Sequence, residues 1–253
     1  MHGWGLGLAM LAMTTPAWGA ELRVHSGGAP RDALNQIAPV YEQQSGQKLQ
    51  FTYAIVGAIQ QRLLAGEQTD VVLLPAPLLE SLEKAGKLKP GSRGLLARVG
   101  IAVVVRDGAL RPDVSTSEKL RDVLTKARSI THADPHATPA GRHLAAMLKQ
   151  WDIVETPERI IRPQSAISGG AEHIAKGDIE IGLYLVSEVL SVKGVAVAGM
   201  LPPAQQHYIT YGSAIMADST QPEAAQGFLT FIADPSKEAQ WRATGFEIIG
   251  KGN

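Results

Sequence analysis

The chain has 253 residues, of which 45% are hydrophobic and 19% are charged, a balance typical of folded globular proteins and not of disordered ones. Its 24 lysine and arginine residues equal its 24 aspartate and glutamate residues, and no block of like charges indicates a nucleic-acid partner or a membrane-surface patch. Cysteine is absent, which excludes disulfides, thiolate nucleophiles, cysteine-based metal sites and a cysteine-linked lipid anchor.

The first twenty residues contain no aspartate, glutamate, lysine or arginine, and residues 6–13 form an apolar stretch. This stretch is shorter than the ~20 residues that a membrane-spanning helix needs, and small residues follow it up to Ala20. We therefore expect residues 1–20 to be a secretory signal peptide cleaved near Ala20, which gives a periplasmic protein without membrane insertion. The alternative is a retained N-terminal helix or a misassigned start, because His2 stands where lysine or arginine is usual.

From Glu21 onward, short apolar or β-branched runs alternate with amphipathic helical patterns, and Gly66, Gly86 and Gly177 each follow such a pattern as a left-handed helix cap would. The predicted strands are residues 22–25, 49–53, 71–74, 99–105, 129–132, 159–162, 179–185, 195–198 and 209–217. Strands that alternate with helices in this way are typical of βαβ units and a parallel sheet. The sequence therefore predicts an α/β fold.

Three loops place small residues between a predicted strand and the helix that follows it. They are Ser26-Gly27-Gly28-Ala29, Val56-Gly57, and the segment 165–170 that ends in Ser168-Gly169-Gly170. Helix N-termini leave backbone N–H groups unpaired and carry a partial positive charge, so such loops attract a carboxylate or another oxyanion. Each loop taken alone is also what an ordinary tight turn contains. Because several occur in one α/β chain, we expect them to form a binding site for an anion.

A fourth loop, residues 134–143, also leads into a predicted helix and contains Thr138, Arg142 and His143. The Arg142 guanidinium has the fork geometry that binds a carboxylate through two hydrogen bonds, and the His143 imidazole titrates near neutral pH. We expect both side chains to contact the anion. The alternative is that both lie on the solvated first turn of the helix.

Other familiar catalytic motifs are missing from the sequence. There is no P-loop, GxGxxG, GxSxG or HExxH pattern, and His132, His173 and His207 have no partner at metal-ligand spacing. We expect neither a metal nor a cofactor.

The order of these motifs resembles the molybdate-binding branch of the type 2 periplasmic solute-binding proteins. The similarity is carried by residues 24–41, residues 57–74, Asp134-Pro135 with Pro139-Ala140-Gly141, and Gly182 followed by Ser187-Glu188. It implies a two-lobed fold with two crossing strands as hinge and the ligand between the lobes. The crossings would be residues 99–105 and 209–217. The first lobe would then comprise residues 21–98 plus 215–253, and the second residues 99–214.

A closer similarity is to the subfamily that includes bacterial aconitate isomerase. It rests on residues 65–75, on Gly141-Arg142-His143-Leu144, and on residues 184–190. Molybdate is not the expected ligand, because Ala29 and Val56-Gly57 stand where molybdate binders have serines. Those binders also have a tyrosine at the position of Leu185, which here lies next to Tyr184.

Two functions remain open at this point. In the first, a monomer binds a small organic anion, a di- or tricarboxylate, and delivers it to the permease of an ABC transporter. In the second, an aconitate isomerase-like enzyme interconverts trans- and cis-aconitate by an allylic proton shift, with His143 as the base. Both need the same anion cradle, and a cavity walled by acidic side chains would contradict both.

Overall fold

The computed structural model describes residues 21–249, so the predicted signal peptide lies outside the described residues. In chain order the helices and strands are β1 (Leu22–Gly27), α1 (Arg31–Ser45), β2 (Leu49–Ala54), α2 (Val56–Leu64), β3 (Val71–Pro75), α3 (Ala76–Lys84), β4 (Gly94–Val99), β5 (Ile101–Arg106), α4 (Ser117–Lys126), β6 (Ser129–His132), α5 (Pro139–Gln150), β7 (Ile160–Pro163), α6 (Gly170–Lys176), β8 (Ile181–Leu185), β9 (Val195–Met200), β10 (Ile209–Ile215), α7 (Pro222–Ile232), α8 (Glu238–Ala243) and β11 (Phe246–Ile248). Short 3-10 turns at Ala166–Ser168, Val186–Glu188 and Pro235–Lys237 complete the order.

The strands form two separate sheets. The first has six strands in the order β11-β4-β10-β3-β1-β2, and the second has five in the order β7-β6-β8-β5-β9. In the first sheet β1 pairs in parallel with β2 and β3, and in the second β6 pairs in parallel with β7 and β8, as the alternating pattern predicts. The remaining pairs are antiparallel, so both sheets are mixed, whereas the sequence predicted a parallel sheet. Most of these antiparallel pairs involve β5 or β10, the strands that follow the two crossings between the sheets.

The chain crosses between the sheets twice. The predicted strand 99–105 is divided at Gly100, since β4 ends at Val99 in the first sheet and β5 begins at Ile101 in the second. The return crossing lies between β9 and β10, and all of β10 pairs in the first sheet. The predicted lobe boundary at residues 214 and 215 therefore cuts through the end of β10, and the change of sheet occurs before Ile209. Pattern alone could not show this, because a buried strand has the same composition in either sheet.

The two crossings are joined by the side chain of Gln206. Its Oε1 accepts a hydrogen bond from the Ile101 N–H at 2.8 Å, and its Nε2 donates to the Ile101 carbonyl at 3.0 Å. A Cβ at Gly100 would lie 2.8 Å from Met200 Cε, so glycine permits the close approach of the crossings here. The hinge is thus an ordered structure and not a loose tether.

Aromatic side chains hold the helices against the first sheet. Trp241 is buried, donates from Nε1 to the Ile232 carbonyl at 2.9 Å, and packs edge-on against Phe246. Tyr41 contacts Phe228 in the same edge-on manner. None of the helices within residues 21–249 combines the length and apolarity needed to cross a membrane.

Candidate functional site

A narrow cavity lies between the two sheets. Its walls come from both sides: Gly28, Ala54, Ile55, Val56, Pro75, Ile209 and Tyr211 from the first sheet and its loops, and Ala133, Thr138, Pro139, Ala140, Ser165, Ile167, Leu185 and Glu188 from the second. The parallel strands β1, β2, β3, β6, β7 and β8 all end at this cavity. The carboxyl ends of parallel strands are where α/β folds place ligands, so the topology itself points to a binding site.

Each of the four loops predicted from the sequence contributes to this cavity. Gly28, Val56, Ser165 and Thr138 line it, one from each loop. Thr138 also caps α5, since its hydroxyl oxygen accepts from the Gly141 N–H at 3.0 Å. The structure therefore brings the starts of helices from both sheets to one place, which local sequence could only suggest.

The two sides of the cavity touch each other directly. The Gly57 N–H donates a hydrogen bond to the Ala137 carbonyl across the cleft at 3.2 Å. A Cβ on Gly28 would lie 2.8 Å from Ile167 Cγ2, so a side chain there would push against the opposite wall. The structure is thus a closed form. The Gly57 amide holds it closed and is not directed at a ligand, which corrects the expectation for this residue.

The other predicted residues of the first loop lie behind the cavity wall. Ser26 is fully buried, and its hydroxyl donates to the Gly27 carbonyl at 3.0 Å. Ala29 is fully buried in the core. A Cβ on Gly27 would lie 2.6 Å from Val56 Cγ1 and 3.1 Å from the Tyr211 hydroxyl, so Gly27 supports two wall residues. Ser26 and Ala29 are therefore structural neighbours of the site and do not line it.

The third loop reaches the cavity through its beginning and not through its end. Ser165 and Ile167 line the cavity, whereas Ser168, Gly169 and Gly170 do not. The backbone of those three residues is used locally. The Ser168 carbonyl accepts from Gln164 Nε2 and the Gly170 N–H donates to the Ser165 carbonyl. The predicted contact of residues 168–170 with the ligand is corrected accordingly.

Tyr184 also lies outside the cavity. The residue is fully buried, its hydroxyl is 2.7 Å from Thr131 Oγ1, and it donates to the Gln164 carbonyl at 2.8 Å. Burial raises the pKa of this hydroxyl far above its usual value. Residues alternate between the two faces of a strand, so the neighbouring Leu185 lines the cavity instead.

Arg142 and His143 do not reach the cavity either. Arg142 is exposed on the first turn of α5, which is the alternative that the sequence left open. His143 Nε2 lies 2.8 Å from the Gln205 carbonyl, and its ring stacks on His207 with ring centroids 4.7 Å apart. Residues three or four apart lie on the same face of a helix, one turn from each other along its axis. Pro139 and Ala140 begin α5 and line the cavity, whereas Arg142 and His143 lie one turn farther along the helix and outside the lining. This corrects the expectation that His143 is a catalytic base.

The structure adds Glu188, which sequence reasoning did not select. Its carboxyl lines the cavity, and Oε1 lies 3.5 Å from the position of a Cβ on Gly28 of the opposite wall. It forms no hydrogen bond or ion pair with any of residues 21–249. Burial raises the pKa of Glu188 to about 7, and the positive charge of Arg31 acts in the opposite direction. Near neutral pH this carboxyl is therefore protonated in a large share of the molecules and is not a fixed negative charge.

Two further polar groups near Glu188 were also missed. Arg31 is the first residue of α1; its guanidinium lies 5.0 Å from the centroid of the Tyr53 ring, and its buried Nε has no hydrogen-bond partner within residues 21–249. The Tyr211 hydroxyl likewise has none in this part of the chain. Burial raises the pKa of Tyr211, and the Glu188 charge adds to this effect. The one sequence signal for Arg31 was its place directly after the glycine loop.

The charged groups of the site do not form a metal centre. Across the described span, 21–249, no group of three or more histidine, aspartate or glutamate side chains is arranged to hold a metal ion. The cavity lining offers helix starts, the hydroxyls of Thr138 and Ser165, a phenol and one carboxyl among apolar walls. The Arg31 guanidinium, whose Nε has no hydrogen-bond partner within residues 21–249, lies outside this lining and acts on the Glu188 carboxyl through its charge. Such a lining suits a small anion with a carbon skeleton.

A two-sheet α/β fold with a ligand cavity between the sheets defines a class of binding proteins, and comparison with known families agrees. Residues 22–247 match the family described as bacterial extracellular solute-binding protein, so the chain belongs to that family. A curated relative, aconitate isomerase from a Pseudomonas species, is 31% identical over 243 residues, which cover 91% of this chain and 90% of the relative. The resemblance to the type 2 periplasmic binding proteins, and to the subfamily with aconitate isomerase, is thus confirmed.

Solved structures confirm the two-lobed fold. The periplasmic molybdate-binding protein of Azotobacter vinelandii superposes with a TM-score of 0.74 at 18% identity, covering 90% of this chain and 100% of that chain. The sulfate-binding protein SubI of Mycobacterium tuberculosis H37Rv gives a TM-score of 0.73 at 18% identity, covering 91% and 88%. At this level of identity the similarity concerns the fold alone.

Proposed function

We propose that the protein binds a small organic anion, a di- or tricarboxylate, in the cavity between its two lobes. The observation that carries this proposal is the convergence of four loops, two from each sheet, on one cavity, where three of them bring the starts of α1, α2 and α5 to its wall. Backbone N–H groups at helix starts favour negative charge, and the Arg31 guanidinium lacks a hydrogen-bond partner for its Nε in the described chain. We further propose that the protein acts in the periplasm and delivers its ligand to an ABC transporter permease.

The walls favour an organic anion over a bare oxyanion. Val56, Ile167, Leu185 and Ile209 place aliphatic surface around the cavity, which an anion such as molybdate could not use. A carboxylate with a short carbon chain would use both the apolar walls and the donors.

A thermal-shift screen tests this proposal. Di- and tricarboxylates, sulfate and molybdate are each added to the purified protein, because a ligand that binds only the native state stabilises it by about 2.7 kcal/mol at a hundredfold excess over Kd. We expect at least one carboxylate to raise the Tm while sulfate and molybdate do not. A rise with molybdate or sulfate alone would refute the proposal.

A second candidate function, isomerisation of an unsaturated tricarboxylate, is favoured by Glu188 and by the relative named aconitate isomerase. In this reaction the Glu188 carboxylate removes a proton from the CH2 group of trans-aconitate. The C–H electron pair forms a new double bond between the former CH2 carbon and the central carbon. The electrons of the original double bond then form a C–H bond at the former CH carbon, which receives the proton from Glu188. Arg31 and the helix starts would stabilise the charge that develops on the substrate carboxylate.

Incubation with trans-aconitate, followed by chromatography for cis-aconitate, tests the second function. Glu188 replaces His143 as the candidate base, because His143 is bonded to the Gln205 carbonyl away from the cavity. Conversion by the unmodified protein and by His143→Gln, but not by Glu188→Gln, would support the isomerase. Absence of conversion at high protein concentration would leave binding alone.

A further inference from the structure

We propose that Glu188 contacts the bound ligand as a neutral acid, so that the anion binds together with one proton. This inference rests on the proposed binding function, since it concerns the same cavity and assumes a ligand with carboxylates; the isomerase would instead need Glu188 ionised. It names the residue that sets the charge of the acceptable ligand, which the fold alone does not.

Glu188 lies where its carboxyl would contact a ligand in the cavity. It ends the 3-10 turn Val186–Glu188, which follows β8 in the second sheet, and Oε1 comes within 3.5 Å of where a Cβ on Gly28 would lie. The carboxyl therefore reaches across to the first sheet's wall. It has no hydrogen-bond partner in the protein among residues 21–249, so a ligand in the closed cavity is the group that can satisfy it.

One positive charge, that of Arg31, acts on Glu188 and would also have to balance a ligand carboxylate. Arg31 of α1 provides the positive charge that acts on Glu188. Tyr211 of β10 and Tyr184 of β8 also interact with it, but burial raises the pKa of both hydroxyls, so they are neutral at physiological pH. A ligand carboxylate in the closed cavity would lie beside Glu188, which lines it, and both would share the positive charge of Arg31. Two carboxylates in one desolvated site are most readily accommodated when one of them carries a proton.

The electrostatics of the free protein support this view. Burial raises the pKa of Glu188 to about 7, so the proton is already present on much of the protein near neutral pH. Because the bound anion favours the protonated form further, affinity should be constant below this pKa. Above it, affinity should fall by up to about tenfold per pH unit as the free protein loses the proton.

Isothermal titration calorimetry with trans-aconitate, citrate and tricarballylate tests the inference between about pH 6 and pH 9 in imidazole and in Tris, two cationic buffers with different ionisation enthalpies that do not compete for an anion site. For the unmodified protein we expect proton uptake approaching one per ligand at the alkaline end. Glu188→Gln keeps a hydrogen-bond donor that does not titrate, and we expect its affinity to be retained and nearly independent of pH. Glu155→Gln, at an exposed position, is the matched control and should behave as the unmodified protein does.

Three outcomes would overturn the inference, and they can be told apart. If none of the three probes binds the unmodified protein, the proposed function fails and the inference with it. If they bind but Glu188→Gln keeps the same pH dependence and proton uptake, the inference alone fails. If affinity for these probes rises with pH, the anion does not bind together with a proton on Glu188, and the inference is wrong. Thermal unfolding of free Glu188→Gln shows whether a loss of binding reflects a loss of folding.

Discussion

Replacing Gly57 with alanine should weaken ligand binding without weakening the fold. Gly57 is the second residue of α2, and its N–H donates to the Ala137 carbonyl across the cleft at 3.2 Å. An alanine Cβ would lie 2.8 Å from the Ala137 carbonyl oxygen and 3.4 Å from the Ala137 carbonyl carbon and Cα. The obstacle is backbone, so it cannot rotate away as a side chain would.

The magnitude follows from these distances. The two lobes must separate by about 0.6 Å to bring the 2.8 Å approach to an ordinary contact, and the hydrogen bond at 3.2 Å then lengthens beyond the usual limit. Loss of one such bond costs about 0.5–1.5 kcal/mol, which makes the closed form about 2- to 10-fold less favourable. Alanine inside a helix is meanwhile up to about 1 kcal/mol more favourable than glycine.

We therefore expect Gly57→Ala to bind the carboxylate found by thermal shift about 2- to 10-fold more weakly, while its Tm without ligand is unchanged or higher. Calorimetric titration and thermal unfolding measure the two quantities separately. Gly227→Ala, in α7 and beside the Tyr41 hydroxyl, is a helix glycine outside the cavity lining and should leave affinity unchanged. Unaltered affinity in Gly57→Ala would show that this contact does not contribute to the ligand-bound form.

Three further predictions separate the cavity from its surroundings. Arg31→Gln should weaken binding of a carboxylate by about 1.5–3 kcal/mol in calorimetric titration, whereas the exposed Arg142→Gln should not; the reverse order would return Arg142 to the site. Tyr184→Phe removes a buried hydroxyl that bonds to Thr131 and Gln164, so urea unfolding should show a loss of about 1–3 kcal/mol with affinity within about twofold; lost affinity at unchanged stability would contradict this placement. Burial and the neighbouring His143 lower the pKa of His207 below its usual ~6.5, so the unfolded chain takes up a proton there before the folded protein does. The free energy of unfolding should therefore fall as pH drops below about 6.5, and His207→Gln should make the fall shallower in urea titrations; an identical slope would show that His207 does not contribute.

The position of the loops could be read from the sequence because loops depend on local chemistry. Small residues between a strand and a helix identified the turns at Gly28 and Val56, and an N-capping threonine before a proline identified the start of α5 at Thr138. The predicted cap at Gly177 is left-handed in the structure, with φ of 83°. These features need only neighbours along the chain, so the sequence was sufficient for them.

Which side chains enter the cavity was decided by tertiary structure. Arg142 and His143 carried the strongest chemical signal but lie one helical turn beyond the cavity lining. Glu188, in a turn after β8, and Arg31, at the start of α1, belong to opposite lobes, and only the fold brings the charge of Arg31 close enough to act on Glu188. The sequence by itself determined the alternating α/β elements, their loops and the preference of helix starts for an anion. The tertiary structure decided the sheet to which each crossing strand belongs, the partners of each polar group and the burial that raises the pKa of Glu188. These features depend on residues far apart in the chain, which only packing brings together.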